Sequence, residues 1–328
     1  MNVIELKTTG GPDVLRLAQR PLPEPLPYEV RVRAQAIGIS SADTLVRKGV
    51  YKWMPPLPAI PGNEMAGVVD ALGSAVTTVK RGQKVLVSSR ELAFRGGCYA
   101  EAICVPADAT YELPEAVSPH DAVTLPNYQL AGALLYHSGV RRPETILIHG
   151  GAGGVATALV QLCLADGIRP IATVSSDEKH AYAVTAGAPH VIHRAKQDVA
   201  DEVMALTGGR GVDVVYAIVG PGFTKNLDLL APLGTLVSIN SLGREPDADL
   251  YAELRRCLGK SLGVRLYSIH TLDKDHERRR ALMYRAIELM AAGHLQPPQP
   301  TCLPLRDAAR AHEMLEAGTA LGKLVLVP

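Results

Sequence analysis

The chain is poor in aromatic side chains, with one Trp and two Phe among 328 residues. Single-stranded nucleic acid is held by stacking on such rings, so that class of ligand finds little here. Cysteine is sparse as well. Cys98, Cys104, Cys163, Cys257 and Cys302 are odd in number and scattered. They make neither a disulfide framework nor a C-x-x-C cluster, and they suit a reducing compartment, which places the protein in the cytoplasm. An excess of one charge is also missing. The formal net charge is +1, and no block of like charge exceeds residues 278–280. Those arginines stand beside Lys274, Asp275 and Glu277, as on a solvated helix face. Neither nucleic acid nor a membrane surface is expected as a partner. No uncharged apolar run of about twenty residues predicts a transmembrane helix. Residues 1–7 have no long apolar core, so no signal peptide is expected.

What is present is apolar material. Hydrophobic residues are 47% of the total, which is enough to bury two cores, and the length calls for two domains. Residues 1–120 carry short strand-like runs broken by Pro and Gly. Glu29–Ile39 alternates through Val30, Val32, Ala34 and Ala36, with further strands at 67–71 and 84–88 and extended connections at 21–27 and 55–61. This is the pattern of a compact, mostly β domain. From residue 125 to 295 strand-like and helix-like segments alternate: 146–149, 154–166, 170–174, 177–186, 190–192, 198–207, 212–216, 223–231 and 234–239. That rhythm predicts βαβ units and a doubly wound parallel sheet. Helical periodicity returns at 277–292 and 305–316, and a last strand is expected at 322–327.

The segment 146–156 is the most informative. Three apolar residues enter a glycine cluster, and an apolar helical run follows. Gly151, Gly153 and Ala156 fit the spacing G-x-G-x-x-G/A. Gly151 would permit the tight turn, Gly153 the approach of a pyrophosphate, and Ala156 close helix–strand packing. Amides at the helix start then hold the phosphates. The second strand ends in Ser175 and Ser176 without the acid that holds a ribose hydroxyl in NAD binders. Asp177 reads as a helix cap. Lys179 lies one turn into that helix and Arg194 follows the third strand (190–192), so both can join the two serines around a 2′-phosphate, and NADPH is expected over NADH.

These motifs, with the segments 41–51, 61–69 (Pro-Gly-Asn-Glu-Met-Ala-Gly-Val-Val), 208–216, 237–241 and 322–328, resemble the quinone oxidoreductase branch of the medium-chain dehydrogenase/reductase superfamily. The resemblance spans nearly the whole chain. It implies a Rossmann domain at 123–294 and a GroES-like, mostly β domain made from 1–122 and 295–328. Zinc-dependent alcohol dehydrogenases share that architecture. Here Ser40, Ser41 and Ala42 precede Asp43 where those enzymes have a Cys, and Asn63 stands where they have a His. Only Cys98 and Cys104 fall where a four-cysteine lobe would be, so no metal is expected. The resemblance also places Ser40 where an Asn usually approaches the nicotinamide.

Without a Lewis acid, acceptors that delocalise incoming electrons are favoured. The expected reaction is hydride transfer from NADPH to a quinone. Two alternatives stay open: an enoyl or enone reductase, and a low-turnover NADPH-binding sensor. Tyr51, Tyr128 and Ser40 are the candidate catalytic residues, the two tyrosines serving equally well as packing. The expected cofactor contacts are Gly151, Ala152, Gly153, Gly154, Val155, Ser175, Ser176, Lys179, Arg194, Val219, Asn240, Ser241 and Lys323. The resemblance further implies a homodimer through the late edge of the sheet, where Leu262, Val264 and Leu266 alternate with Gly263 and Arg265.

Overall fold

The computed structural model describes residues 1–218, 222–239, 245 and 248–328. The chain divides into two compact units. One comprises Met1–Pro126, Ile287–Ala291 and Gln299–Pro328, the other Asn127–Ala286 and Ala292–Pro298.

The first unit is mostly β. The long strand Glu29–Ile39 is its axis, because three strands pair with it: Glu64–Leu72, Ala102–Pro106 and Leu324–Val327, all antiparallel. Residues from both chain ends therefore share one seven-stranded sheet. The expected alternation holds over the first half of the axis, with Val30 and Val32 buried and Arg33 exposed. A register shift between Ala34 and Ala36 ends it, and residues 36–39 are buried on both faces. The core of this unit gathers Val30, Val32, Ile37, Val69, Val85 and Leu326.

The second unit is the doubly wound half. Six parallel strands lie in the order His190–His193, Arg169–Val174, Thr145–His149, Val212–Ala217, Leu230–Ile239, Gly263–Tyr267. Numbered along the chain this is 3-2-1-4-5-6, and the order reverses between Thr145–His149 and Val212–Ala217. In open α/β sheets the ligand crevice lies beyond the carboxyl ends of the strands at that reversal. Helix Gly154–Ala165 has residues 156–163 all buried, as expected for an apolar run with no polar face.

One expected helix is missing. Residues 223–231 form only a short 3-10 turn, Thr224–Leu227, and the strand begins at Leu230. Asn226 bonds the carbonyls of Gly222 (3.2 Å) and Phe223 (3.0 Å), a local side-chain pairing that competes with helix continuation. At the far edge, Leu262 and Val264 pack against the core of the unit, whereas Leu266 is 63% exposed. Among the described residues no helix is long and apolar enough to cross a membrane.

Candidate functional site

The strand Thr145–His149 runs straight into the glycine cluster. Gly150 takes φ +72°, so the tight turn falls there and not at Gly151. Gly151 is small for another reason. Its N–H donates to Thr173 O at 2.9 Å, and a Cβ on it would meet the Ala172 Cβ at 2.8 Å. Gly153 donates to Gly150 O (2.9 Å) and caps helix Gly154–Ala165 with extended backbone, φ −86° and ψ 155°. The first intrahelical bond runs from Thr157 N to Gly153 O (2.9 Å). The amides of Gly154, Val155 and Ala156 thus have no intrahelical acceptor and form the positive end of the helix. A Cβ on Gly153 would meet only Gly150 O, at 3.3 Å. The extended backbone suits any L-residue, so only this tight contact, from which Gly150 O would have to give by a few tenths of an ångström, works against a side chain there. Ala152, one residue earlier, is buried.

The strand Arg169–Val174 ends beside His190–His193, with Val174 opposite His193. This brings Ser175, Ser176 and Arg194 to the same end of the sheet, and Arg194 N donates to Val174 O at 3.0 Å. Ser176 caps helix Asp177–Thr185, its Oγ accepting from Lys179 N (3.3 Å). Asp177 is drawn aside by Lys196 at 2.5 Å and by His193, so it opposes neither remaining cation directly. The Lys196 ammonium holds the Asp177 carboxyl below its usual range. Lys179 is half-buried and Arg194 exposed. Neither pairs with a carboxylate among the described residues. Ser175, Ser176 and Arg194 thus stand at one end of the sheet, with Lys179 in the first turn of the helix that Ser176 caps. The remaining expected contacts Val219, Asn240 and Ser241 lie outside the described residues.

The mostly β unit holds a second polar group. Ser40 precedes helix Ser41–Lys48, and its N and Oγ both donate to Asp43 Oδ2, at 2.7 and 2.9 Å. Asn63 Nδ2 donates to the other carboxylate oxygen at 2.5 Å, and Ser89 Oγ donates to Asn63 Oδ1 at 2.5 Å. Asp43 is fully buried. Burial, and then the charge of Glu64, push its carboxyl up to about 6, against the hydrogen bonds from Ser40. Ser40 and Asn63 are thus both bonded to Asp43. Cys98 lies buried nearby, its thiol pushed well above its ordinary value by burial and by Asp43.

Lys323, expected among the cofactor contacts, is buried in this unit and its ammonium is held by Glu64. Gly38 makes room for the pair, since a Cβ there would collide with the Glu64 carboxylate. Tyr128 belongs to the other unit and is buried, with its hydroxyl donating to Gln161 Oε1 at 2.7 Å. Gln161 in turn donates to Ala186 O (3.0 Å) and Gln296 O (2.7 Å). The ring of Tyr128 therefore braces a buried amide network. Tyr51 is half-buried and tilted against Trp53 with centroids 5.6 Å apart. The glycine loop and Ser175, Ser176, Lys179 and Arg194 belong to one unit, while Tyr51, Ser40 and Lys323 belong to the other.

Comparison with known proteins fits this geometry. The profile "Alcohol dehydrogenase GroES-like domain" matches residues 26–115, and "Zinc-binding dehydrogenase" matches 186–326. A quinone oxidoreductase of Sus scrofa is 29% identical over 333 residues, covering 100% of this chain and 98% of its own. The synaptic vesicle membrane protein VAT-1 homolog of Homo sapiens is 32% identical over 337 residues, covering 97% of this chain and 84% of its own. The Escherichia coli quinone oxidoreductase solved as a complex with NADPH superposes with a TM-score of 0.85 at 31% identity, each chain being covered in full.

Proposed function

The chain belongs to the quinone oxidoreductase branch of the medium-chain dehydrogenase/reductase superfamily, and from that premise we propose that it transfers hydride from NADPH to a quinone without a metal. The observation that carries the cofactor is the start of helix Gly154–Ala165, where the amides of Gly154, Val155 and Ala156 have no intrahelical acceptor and Gly153 before them carries no side chain. Gly151, Ala152 and Gly153 would line the pyrophosphate, and the amides of Gly154, Val155 and Ala156 would bond its oxygens. Ser175, Ser176, Lys179 and Arg194 would hold the 2′-phosphate. Bound NADPH supplies a hydride, which a quinone accepts to become a resonance-stabilised hydroquinone anion. Such an acceptor needs no Lewis acid, and none is provided for where Ser40 and Asn63 are spent on Asp43. Among the described residues no cluster of three or more His, Cys, Asp or Glu has metal-binding geometry.

The test is NADPH consumption against a panel of quinones and a panel of enones, with and without chelator. Turnover with quinones that chelator leaves unchanged is the expected result. Turnover confined to enones would move the activity to carbon–carbon double bonds, and binding without turnover would make the chain a sensor. One stoichiometric zinc by elemental analysis would overturn the metal-free reading.

The 2′-phosphate rim makes its own prediction. NADPH should bind more tightly than NADH, and the preference should collapse in the Lys179→Ala, Arg194→Ala double variant. Each charge-assisted contact is worth about 1.5–3 kcal/mol, or roughly ten- to hundredfold in affinity. Fluorescence titration with both cofactors measures this, and equal wild-type affinities would defeat it. The exposed edge strand Gly263–Tyr267, with Leu266 in solvent, is where we place a second copy of the chain in a homodimer located in the cytoplasm. Light scattering after gel filtration reads the assembly, and a monomer mass at micromolar concentration would refute it.

A further inference from the structure

His149 is the last residue of the strand that feeds the glycine loop, and it does not point idly into solvent. Its Nδ1 lies 2.8 Å from Thr173 Oγ1, on the neighbouring strand. Its Nε2 lies 2.6 Å from Asn226 Oδ1, in the turn that follows the strand on the other side. The chemistry of Asn226 decides the tautomer. Its Nδ2 already donates to two carbonyls, of Gly222 and Phe223, so Oδ1 is the atom that faces the ring. Oδ1 can only accept, hence Nε2 carries the hydrogen, and the Nδ1 of the neutral ring accepts from the Thr173 hydroxyl. Burial, joined by the charge of Arg194, lowers the affinity of the ring for a second proton, against the Asn226 bond, which raises it.

The place of this clasp in the sheet matters. His149 and Asn226 face each other across the point where the strand order reverses, at the carboxyl ends of the strands. Gly150, the next residue, turns through φ +72°, and its carbonyl accepts from Gly153 N at 2.9 Å. The loop that follows is pinned to the sheet by Gly151 N on Thr173 O. Thr173 thus grips the loop twice, once by its carbonyl and once through the imidazole.

We propose that His149 is the positioning residue of the dinucleotide loop, its neutral Nε2–H ring tying Thr173 to Asn226 across the sheet reversal so that the glycine amides are in place before the cofactor arrives. The proposal rests on the dinucleotide reading above. A loop held in its binding shape loses less conformational freedom on binding, so the clasp acts on affinity. The chemical step, which occurs elsewhere on the cofactor, is untouched.

The experiment is fluorescence titration of the full chain with NADPH, with melting temperature and kcat at saturating NADPH measured alongside. His149→Ala should weaken NADPH binding about tenfold or more, as two hydrogen bonds are lost, with kcat within about threefold of wild type. His149→Gln, whose amide nitrogen and oxygen can replace Nε2 and Nδ1, should recover most of the affinity. Thr173→Val removes only the hydroxyl, keeps the side-chain shape, and should weaken binding by about three- to tenfold; it carries the test if His149→Ala fails to fold. Nitrogen-15 spectra of the imidazole should show the Nε2–H tautomer. Wild-type affinity in His149→Ala or Thr173→Val, or the Nδ1–H tautomer, would overturn the proposal alone. A wild-type chain that binds no NADPH would sink the dinucleotide reading and the proposal with it.

Discussion

Gly153→Val should lower NADPH affinity by more than about a hundredfold while leaving the melting temperature close to that of the wild type. The backbone at 153 is extended, φ −86° and ψ 155°, a conformation that a β-branched residue prefers. The nearest atom to the added Cβ is Gly150 O at 3.3 Å, a contact that a small shift relieves. The fold therefore tolerates valine. The two added methyl groups, however, would stand in front of the Gly154 and Val155 amides, where the phosphates must come within hydrogen-bond distance. Gly151→Val is the contrasting control. Its Cβ would press on Ala172 Cβ at 2.8 Å, inside the packed strand pair, and overpacking of this kind costs about 1–3 kcal/mol. That variant should melt earlier. Titration and thermal melting of the two proteins separate a glycine the fold can replace from one that strand packing requires. Undiminished binding in Gly153→Val would mean that the phosphates lie elsewhere.

The largest effect on stability is expected at Lys323. Its ammonium and the Glu64 carboxylate are each about 95% buried, and they hold the C-terminal segment against the long central strand over Gly38. Lys323→Met removes one partner and leaves a carboxylate in the core with Asp43 close enough to feel its charge. Breaking a buried pair in this way costs about 3–5 kcal/mol. Replacing both residues by apolar ones of similar volume is far milder, because no uncompensated charge remains. The Glu64→Met, Lys323→Met double variant should therefore recover most of the loss. Urea unfolding of the single and double variants provides the measurement. A single variant as stable as wild type would show that water reaches the pair and screens it.

Local pattern carried much of this protein. Period-two runs, the abrupt change near residue 125 and the glycine spacing at 151, 153 and 156 were enough to expect a doubly wound sheet beside a mostly β unit. They also pointed to the glycine loop and to Ser175, Ser176, Lys179 and Arg194 as the residues proposed to hold the cofactor. Those features are short-range: a strand, a turn and a helix start within a dozen residues, set by backbone sterics and side-chain periodicity. The expected helix at 223–231 failed because a single side chain, Asn226, satisfied the carbonyls that a helix would have used.

What the tertiary structure decided is long-range and polar. No spacing links His149 to Asn226, Asn63 to Asp43, or Glu64 to Lys323, and each pair meets only once the strands have paired. The turn belonged to Gly150 because φ at each glycine follows from where the strand leaves the sheet, and Gly151 was needed by its neighbour Ala172. The sequence by itself determined most of the elements and the glycine turn between the first parallel strand and its helix. Folding alone determined which polar side chains would be buried and with whom, since in a low-dielectric interior each must find its partner from whatever the topology brings within reach.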